Sequence, residues 1–255
     1  MSDFSESLAG RVVIVTGAGQ GIGRQIARRF AEAGAVAIIA ELNRDKGEAV
    51  ASEIGTARAM FVHTDTGDEA ALGSMARVVL ERFGRIDALV NNAAIFSTLE
   101  MRPFWEIPVE EWRRVMHVNA TGPFLATRAV LPAMMKAGWG RVIHMSSAAV
   151  TMGRPNYLHY IASKSALIGM TRSMARELGP HGINVNAVMP GAIFTEIERK
   201  TVTPQQKAAI LAAQSIGSRE GRPDDIAGIV LFLASEGAKW ITGQCITTDG
   251  GLVHT

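Results

Sequence analysis

The chain has a single cysteine, Cys245, in 255 residues. That excludes a disulfide framework within the chain and suits a reducing compartment. It has no excess of charge of either sign: 26 Lys and Arg against 24 Asp and Glu leave a net +2, too little to argue for a nucleic acid or an anionic membrane as partner. No uncharged apolar run approaches the ~18 residues of a membrane helix. Met1 to Ser7 is polar and acidic, without an apolar signal core, so a soluble, cytoplasmic protein is expected. Proline is scarce at 9 residues, and no linker, internal repeat or low-complexity tract divides the chain, so a single domain over 1–255 is expected. The six histidines, His63, His117, His144, His159, His181 and His254, include no H-E-x-x-H or other close ligand spacing, so no metal is expected. Also missing are the Gly-Lys-Ser/Thr of a Walker A loop and the G-x-S-x-G of a serine-hydrolase elbow.

What is present is an ordinary globular composition, 47% hydrophobic and 20% charged, with glycine high at 26 residues. Short apolar, β-branched runs alternate with helical periodicity. Strands are expected over Arg11–Thr16, Ala35–Ala40, Ala57–His63, Ile86–Asn91, Arg141–Ser146, Ile183–Val188 and near Cys245–Thr248. Helices are expected after the glycine turn at 17–23, over Arg44–Ile54, Asp68–Phe83, two within Val109–Ala137, then Tyr157–Leu178 and Pro223–Ser235. Short buried strands between helices predict an α/β doubly wound (Rossmann) fold: a seven-stranded parallel sheet with helices on both faces.

Thr16-Gly17-Ala18-Gly19-Gln20-Gly21-Ile22-Gly23 lies between a strand and a helix. Glycines let backbone approach a diphosphate, and the helix N-terminus offers free N–H groups and the positive end of its dipole. Glu41 ends the second expected strand. A carboxylate there accepts hydrogen bonds from an adenosine ribose and repels a 2′-phosphate. No Lys or Arg lies inside the turn, where Gln20 sits, and both points favour NAD over NADP. The bland alternatives are an ordinary turn and a solvent-facing acid, and Arg44 stands close to Glu41 in sequence.

Taken together the motifs resemble those of the classical short-chain dehydrogenases/reductases, over nearly the whole chain. The TGxxxGxG turn is Thr16 to Gly23. Asn91-Asn92-Ala93-Ala94 resembles the family's NNAG, with Ala94 in place of the glycine. Asn119-Ala120-Thr121-Gly122, Ser146-Ser147 and Tyr160-Ile161-Ala162-Ser163-Lys164 follow in order. Pro190-Gly191 with Thr195, Ile241-Thr242-Gly243-Gln244 and Asp249-Gly250-Gly251 complete the set.

Tyr160 and Lys164, at i and i+4 on a helix, share a face. An ammonium near a phenol of pKa ~10 favours the phenolate and tunes it towards proton exchange. Tyr157 lacks such a partner, because Ile161 stands four residues beyond it. The resemblance implies that Ser147 binds the substrate oxygen, Tyr160 exchanges the proton, and Lys164 lowers the tyrosine's pKa and binds the nicotinamide ribose. Asn119 would hold a water linking Lys164 to solvent. It further implies cofactor contacts from Gly17, Gln20, Gly21, Ile22, Gly23, Glu41 and Asp65, the last otherwise a helix N-cap. Asn91, Ala93, Pro190, Gly191, Ile193 and Thr195 complete the expected cofactor set.

Phe96, Ala148, Thr151, Met152, Tyr157 and Met189 suggest an apolar substrate pocket, with 193–215 as its lid. His159 is expected to be structural rather than catalytic, the tryptophans to pack or make subunit contacts, and Cys245 to be a buried, inert thiol. The reaction implied is reversible hydride transfer between NAD and a secondary alcohol or ketone. A non-catalytic dinucleotide sensor and a 3-oxoacyl thioester reductase are the alternatives; polyols, hydroxy acids and steroids also stay open as substrates. A homotetramer, or a dimer, built on helices within 109–137 and 154–178 is the expected assembly.

Overall fold

The computed structural model describes residues 6–197, 204–217 and 219–254. Its seven strands are β1 (Val12–Thr16), β2 (Val36–Glu41), β3 (Ala59–His63), β4 (Ala88–Asn91), β5 (Gly140–Met145), β6 (Ile183–Pro190) and β7 (Cys245–Thr248). They form one parallel sheet in the order β3-β2-β1-β4-β5-β6-β7. The chain winds outward from β1 to β3, then returns to β4 on the other side of β1. That reversal opens a crevice at the carboxyl ends of β1 and β4, where ligands of open α/β sheets bind.

The helices are α1 (Gly21–Glu32), α2 (Arg44–Ile54), α3 (Glu69–Phe83), α4 (Val109–Met116), α5 (Gly122–Ala137), α6 (Ala149–Met152), α7 (Leu158–Leu178), α8 (Pro204–Ala213) and α9 (Pro223–Ala234). Both faces of the sheet are covered. On one, Ile26 and Phe30 of α1 and Ile226 and Val230 of α9 pack with Val13, Val15 and Ile39. On the other, Leu72 and Val79 of α3 and Ala126 and Val130 of α5 pack with Ile14, Ile38 and Leu89. β1 is buried at all five positions, which is why it reads as a continuous apolar run rather than an alternating one. Local chemistry sets the boundaries: Asn43 caps α2 by accepting from Lys46 N–H, Asp68 caps α3 by accepting from Ala70 N–H, and Gly84, at φ +71°, ends α3.

Besides the short helices α6 and α8, which the sequence reading did not include, the structure departs from the expectation in three places. The two helices within 109–137 are joined by a π-helical turn, His117–Thr121, instead of a loop. β6 runs on to Pro190: Met189 and Pro190 pair with Thr247 and Thr248, and the Pro190 carbonyl accepts from Ala148 N–H. A proline at a strand end loses only a donor and keeps this acceptor. β7 is an edge strand, half-exposed along its length, so Cys245 is half-buried rather than buried; burial still pushes its thiol pKa up. Of the expected lid, 198–203 lies outside the described residues, as does 1–5 of the N-terminus; 204–213 forms α8.

Candidate active site

The glycine turn is tied to the segment that follows β4. The Thr16 hydroxyl accepts from Asn92 N–H at 3.0 Å and Ala93 N–H at 3.1 Å. The Asn92 amide donates to the carbonyls of Thr16 and Gly17, at 2.9 and 3.0 Å. Gly17 has φ +63°, and a Cβ there would lie 2.8 Å from Ala93 Cα; a Cβ on Gly23 would collide with the Gly17 carbonyl oxygen. Both positions therefore require glycine, and the turn is pressed against β4. Beside it Glu41 accepts from Gly19 N–H at 3.0 Å and from Asn43 N–H at 2.9 Å. Lys46 Nζ donates to Gln20 Oε1 at 2.6 Å. Arg44 turns away to Glu48 and lies over the Phe61 ring.

A cavity of about 890 Å³ runs from this turn across the carboxyl ends of the strands. Gly17, Gln20, Ile22, Gly23 and Ala93 line its middle, and Glu41 and Asp65 one end. Asp65 is not a helix cap: it accepts from Gly67 N–H at 2.8 Å, and Asp68 caps α3 instead. Pro190, Gly191, Ile193 and Thr195 line it after β6; Phe96, Ala148, Met152 and Tyr157 line it around Tyr160.

Ser147, Tyr160 and Lys164 line the same cavity. Ser147 follows β5, and its hydroxyl accepts from Ala149 N–H at 3.2 Å. The neighbouring Ser146 hydroxyl donates instead to the Lys164 carbonyl at 2.8 Å, which ties α7 to the end of β5. The Tyr160 ring centroid is 5.0 Å from those of both Phe96 and Tyr157, and 5.9 Å from Lys164 Nζ. Lys164 is 3% exposed and donates to the Met145 carbonyl at 2.7 Å; burial lowers its pKa to about 8. A buried ammonium one helical turn from a phenol favours the phenolate.

Five expected site residues, Asn119 among them, lie outside the cavity wall. Asn91 is buried behind the cleft, where its amide donates to Thr127 Oγ1 and His144 Nδ1, both at 3.2 Å. Successive strand residues point to opposite faces, so Asn92, which the motif did not single out, takes the cleft side. Thr151 is exposed on α6 and outside the cavity wall, and Met189 is buried in β6 outside it too. Gly21 is covered: its N–H donates to Glu196 Oε1 at 2.9 Å, and Ile197 packs against it. Glu196 gave no sequence signal, since neither its spacing nor its type marks it.

Asn119 sits in the π turn, fully buried, outside the cavity wall. Its Oδ1 accepts from Ile95 N–H at 2.8 Å, and its amide donates to the Ile95 carbonyl and to Ser163 Oγ, so its side chain anchors the segment after β4. His159 is fully buried and off the cavity, with Nε2 3.3 Å from Glu111 Oε1; burial lowers its pKa, as expected of a structural histidine. His144 is held neutral, its pKa lowered to about 4 by burial and by the charge of Lys164. Among the described residues, no group of three His, Cys, Asp or Glu could hold a metal ion.

A family model described as "Enoyl-(Acyl carrier protein) reductase" matches residues 17–253. The chain is 36% identical over 249 residues to a 7α-hydroxysteroid dehydrogenase of Escherichia coli K12, covering 97% of this chain and 96% of that one. It is 37% identical over 263 residues to a 3-oxoacyl-[acyl-carrier-protein] reductase of Synechocystis, covering 97% and 98%. Among solved structures, a mutant of a Serratia marcescens short-chain dehydrogenase/reductase superposes with TM-score 0.87 at 36% identity, over 96% of this chain and 99% of that one.

Proposed function

The chain belongs to the classical short-chain dehydrogenases/reductases, oxidoreductases that use nicotinamide dinucleotides, and from that premise we propose that it transfers hydride reversibly between NAD and a secondary alcohol or ketone. The observation that carries the reading is the convergence of Ser147, Tyr160 and Lys164 on the cavity that the glycine turn opens into.

The residues fit a dinucleotide. Gly17, Gln20, Ile22 and Gly23 line the cavity, so the glycine turn and the first turn of α1 face it. Glu41 and Asp65 wall the end where an adenosine would lie. Glu41 favours ribose hydroxyls over a 2′-phosphate, which supports NAD over NADP; Lys46, on Gln20, is the cation beside this corner. When bound, the nicotinamide supplies or accepts the hydride. The chain supplies the rest. Ser147 hydrogen-bonds the substrate oxygen. Tyr160 gives that oxygen a proton during reduction and takes it back during oxidation. Lys164 keeps the phenolate accessible near neutral pH. Asn119 fixes the segment after β4 and leaves the backbone of its π turn to hold the relay water. The fold works as one domain, in the cytoplasm.

Turnover is tested with NAD and a panel of secondary alcohols, polyols and hydroxy acids. Tyr160→Phe is expected to cut it by ~10²–10⁴; near-normal turnover in that variant sinks the assignment. Comparable kcat/KM with NADP would refute the cofactor preference. A 3-oxoacyl thioester reductase is the second reading, favoured by the name of the Synechocystis relative. Reduction of an acetoacetyl thioester at a higher kcat/KM than any simple ketone would select it.

A further inference from the structure

The cavity is electrostatically polarised. Two carboxylates, Glu41 and Asp65, wall the end beside β2 and β3. Around Tyr160 the wall is apolar, made by Phe96, Met101, Met152 and Tyr157. Within that apolar part stands a half-buried cation, Arg154, on the loop after α6. Of the other cations that line the cavity, Lys164 donates to the Met145 carbonyl and Arg114 is exposed on α4.

Arg154 has weak partners. Its Nη2 is 3.5 Å from the Met101 sulfur, and its guanidinium lies 5.6 Å from the Tyr157 ring centroid. Among the described residues no carboxylate lies within ion-pair distance of it, whereas nearby Arg102 pairs with Glu100 at 2.8 Å. Among the described residues a thioether and a ring face are its partners, which leaves most of a guanidinium's five donors without a protein acceptor there. The Tyr157 ring that it covers is itself 5.0 Å from the ring of Tyr160, so one aromatic ring separates the cation from the proton-exchanging phenol. Arginine is planar and weakly hydrated, and its fork matches a carboxylate in two parallel hydrogen bonds.

We propose that Arg154 is a specificity-determining residue that takes a carboxylate of the substrate, so that the substrate is an apolar hydroxy or oxo carboxylic acid. The apolar wall holds the span between the carboxylate and the reacting carbon, and Arg154 fixes its far end. This deepens the alcohol–ketone reading and rests on it.

The test is equilibrium binding of cyclohexanecarboxylate and of its neutral isostere cyclohexanecarboxamide, measured by calorimetry with saturating NADH. The wild-type protein is compared with Arg154→Leu and Arg154→Lys. The carboxylate is expected to bind about ten- to a hundredfold tighter than the amide. Arg154→Leu is expected to abolish that preference, and Arg154→Lys to keep part of it. Equal affinities in the wild type, no measurable carboxylate binding, or a preference that survives in Arg154→Leu would each overturn the proposal. Tyr160→Phe is expected to keep the preference while losing turnover, which separates recognition from chemistry. NADH binding is titrated on its own. If it fails, the dehydrogenase reading falls, and the same carboxylate–amide comparison on the protein alone still decides the role of Arg154.

Discussion

Lys164 shows how burying a single charge ties stability to pH. Burial holds its pKa near 8, below the ordinary 10.5. Between those values the unfolded chain binds a proton that the folded chain has released, so stability rises with pH across that window. Below about 8 both states are protonated and the cost of burying the charge is present in full. In denaturant melts, the stability of the wild type relative to Lys164→Met is therefore expected to increase from pH 8 towards 10.5. A difference flat across that range would mean that the ammonium is not desolvated. Tyr160 and Lys164 were legible because helical spacing alone puts i and i+4 on one face. Asn91 was not, because a one-residue phase error at a strand end exchanges cleft for core, and Asn92 is the residue in the cleft.

Among the elements, the N-terminus of α1 is already in contact with a negative charge. Glu196, from the segment after β6, accepts from Gly21 N–H at 2.9 Å, with Arg24 3.9 Å away. Burial alone would raise its pKa, but the Gly21 N–H, its own N–H and the charges of Arg24 and Lys46 outweigh that and lower it. A diphosphate needs the same N–H groups and the same dipole end. Removing the carboxylate in Glu196→Gln is thus expected to tighten NAD binding about two- to fivefold, the equivalent of one charge at a helix terminus. Calorimetric titration of both proteins checks this, and unchanged or weaker binding would show that Glu196 does not compete. No sequence motif carries this contact: its partners are 175 positions apart and meet only because the segment after β6 reaches back past the ends of β5 and β4 to the turn after β1.

Across the molecule as a whole, no helix among the described residues is long and apolar enough to cross a membrane. Exposed apolar side chains stand on the helices expected to pair subunits: Val109 on α4, Phe124 and Met135 on α5, Leu158 on α7. Scattered exposed apolar residues are ordinary, but several on neighbouring helices suit an interface between copies. Light scattering after size exclusion is expected to give the mass of a tetramer, with Phe124→Asp shifting it to smaller species. A monomeric wild type at micromolar concentration would refute the assembly.

The strand and helix order, the parallel doubly wound sheet and the face of α7 that carries Tyr160 and Lys164 were all legible in the chain before it was folded. These depend on short-range periodicity, on turn residues and on spacings within one element, each set by local physics. Packing, and not pattern, settled which neighbour of a pair faces the cleft, that Asn119 is spent on Ile95, and that Glu196 reaches the α1 terminus. Packing also places Arg154 beside Tyr157, with no acid among the described residues to answer it. Such facts are distances between segments far apart in the chain, fixed when the layers come together, and no local pattern encodes them.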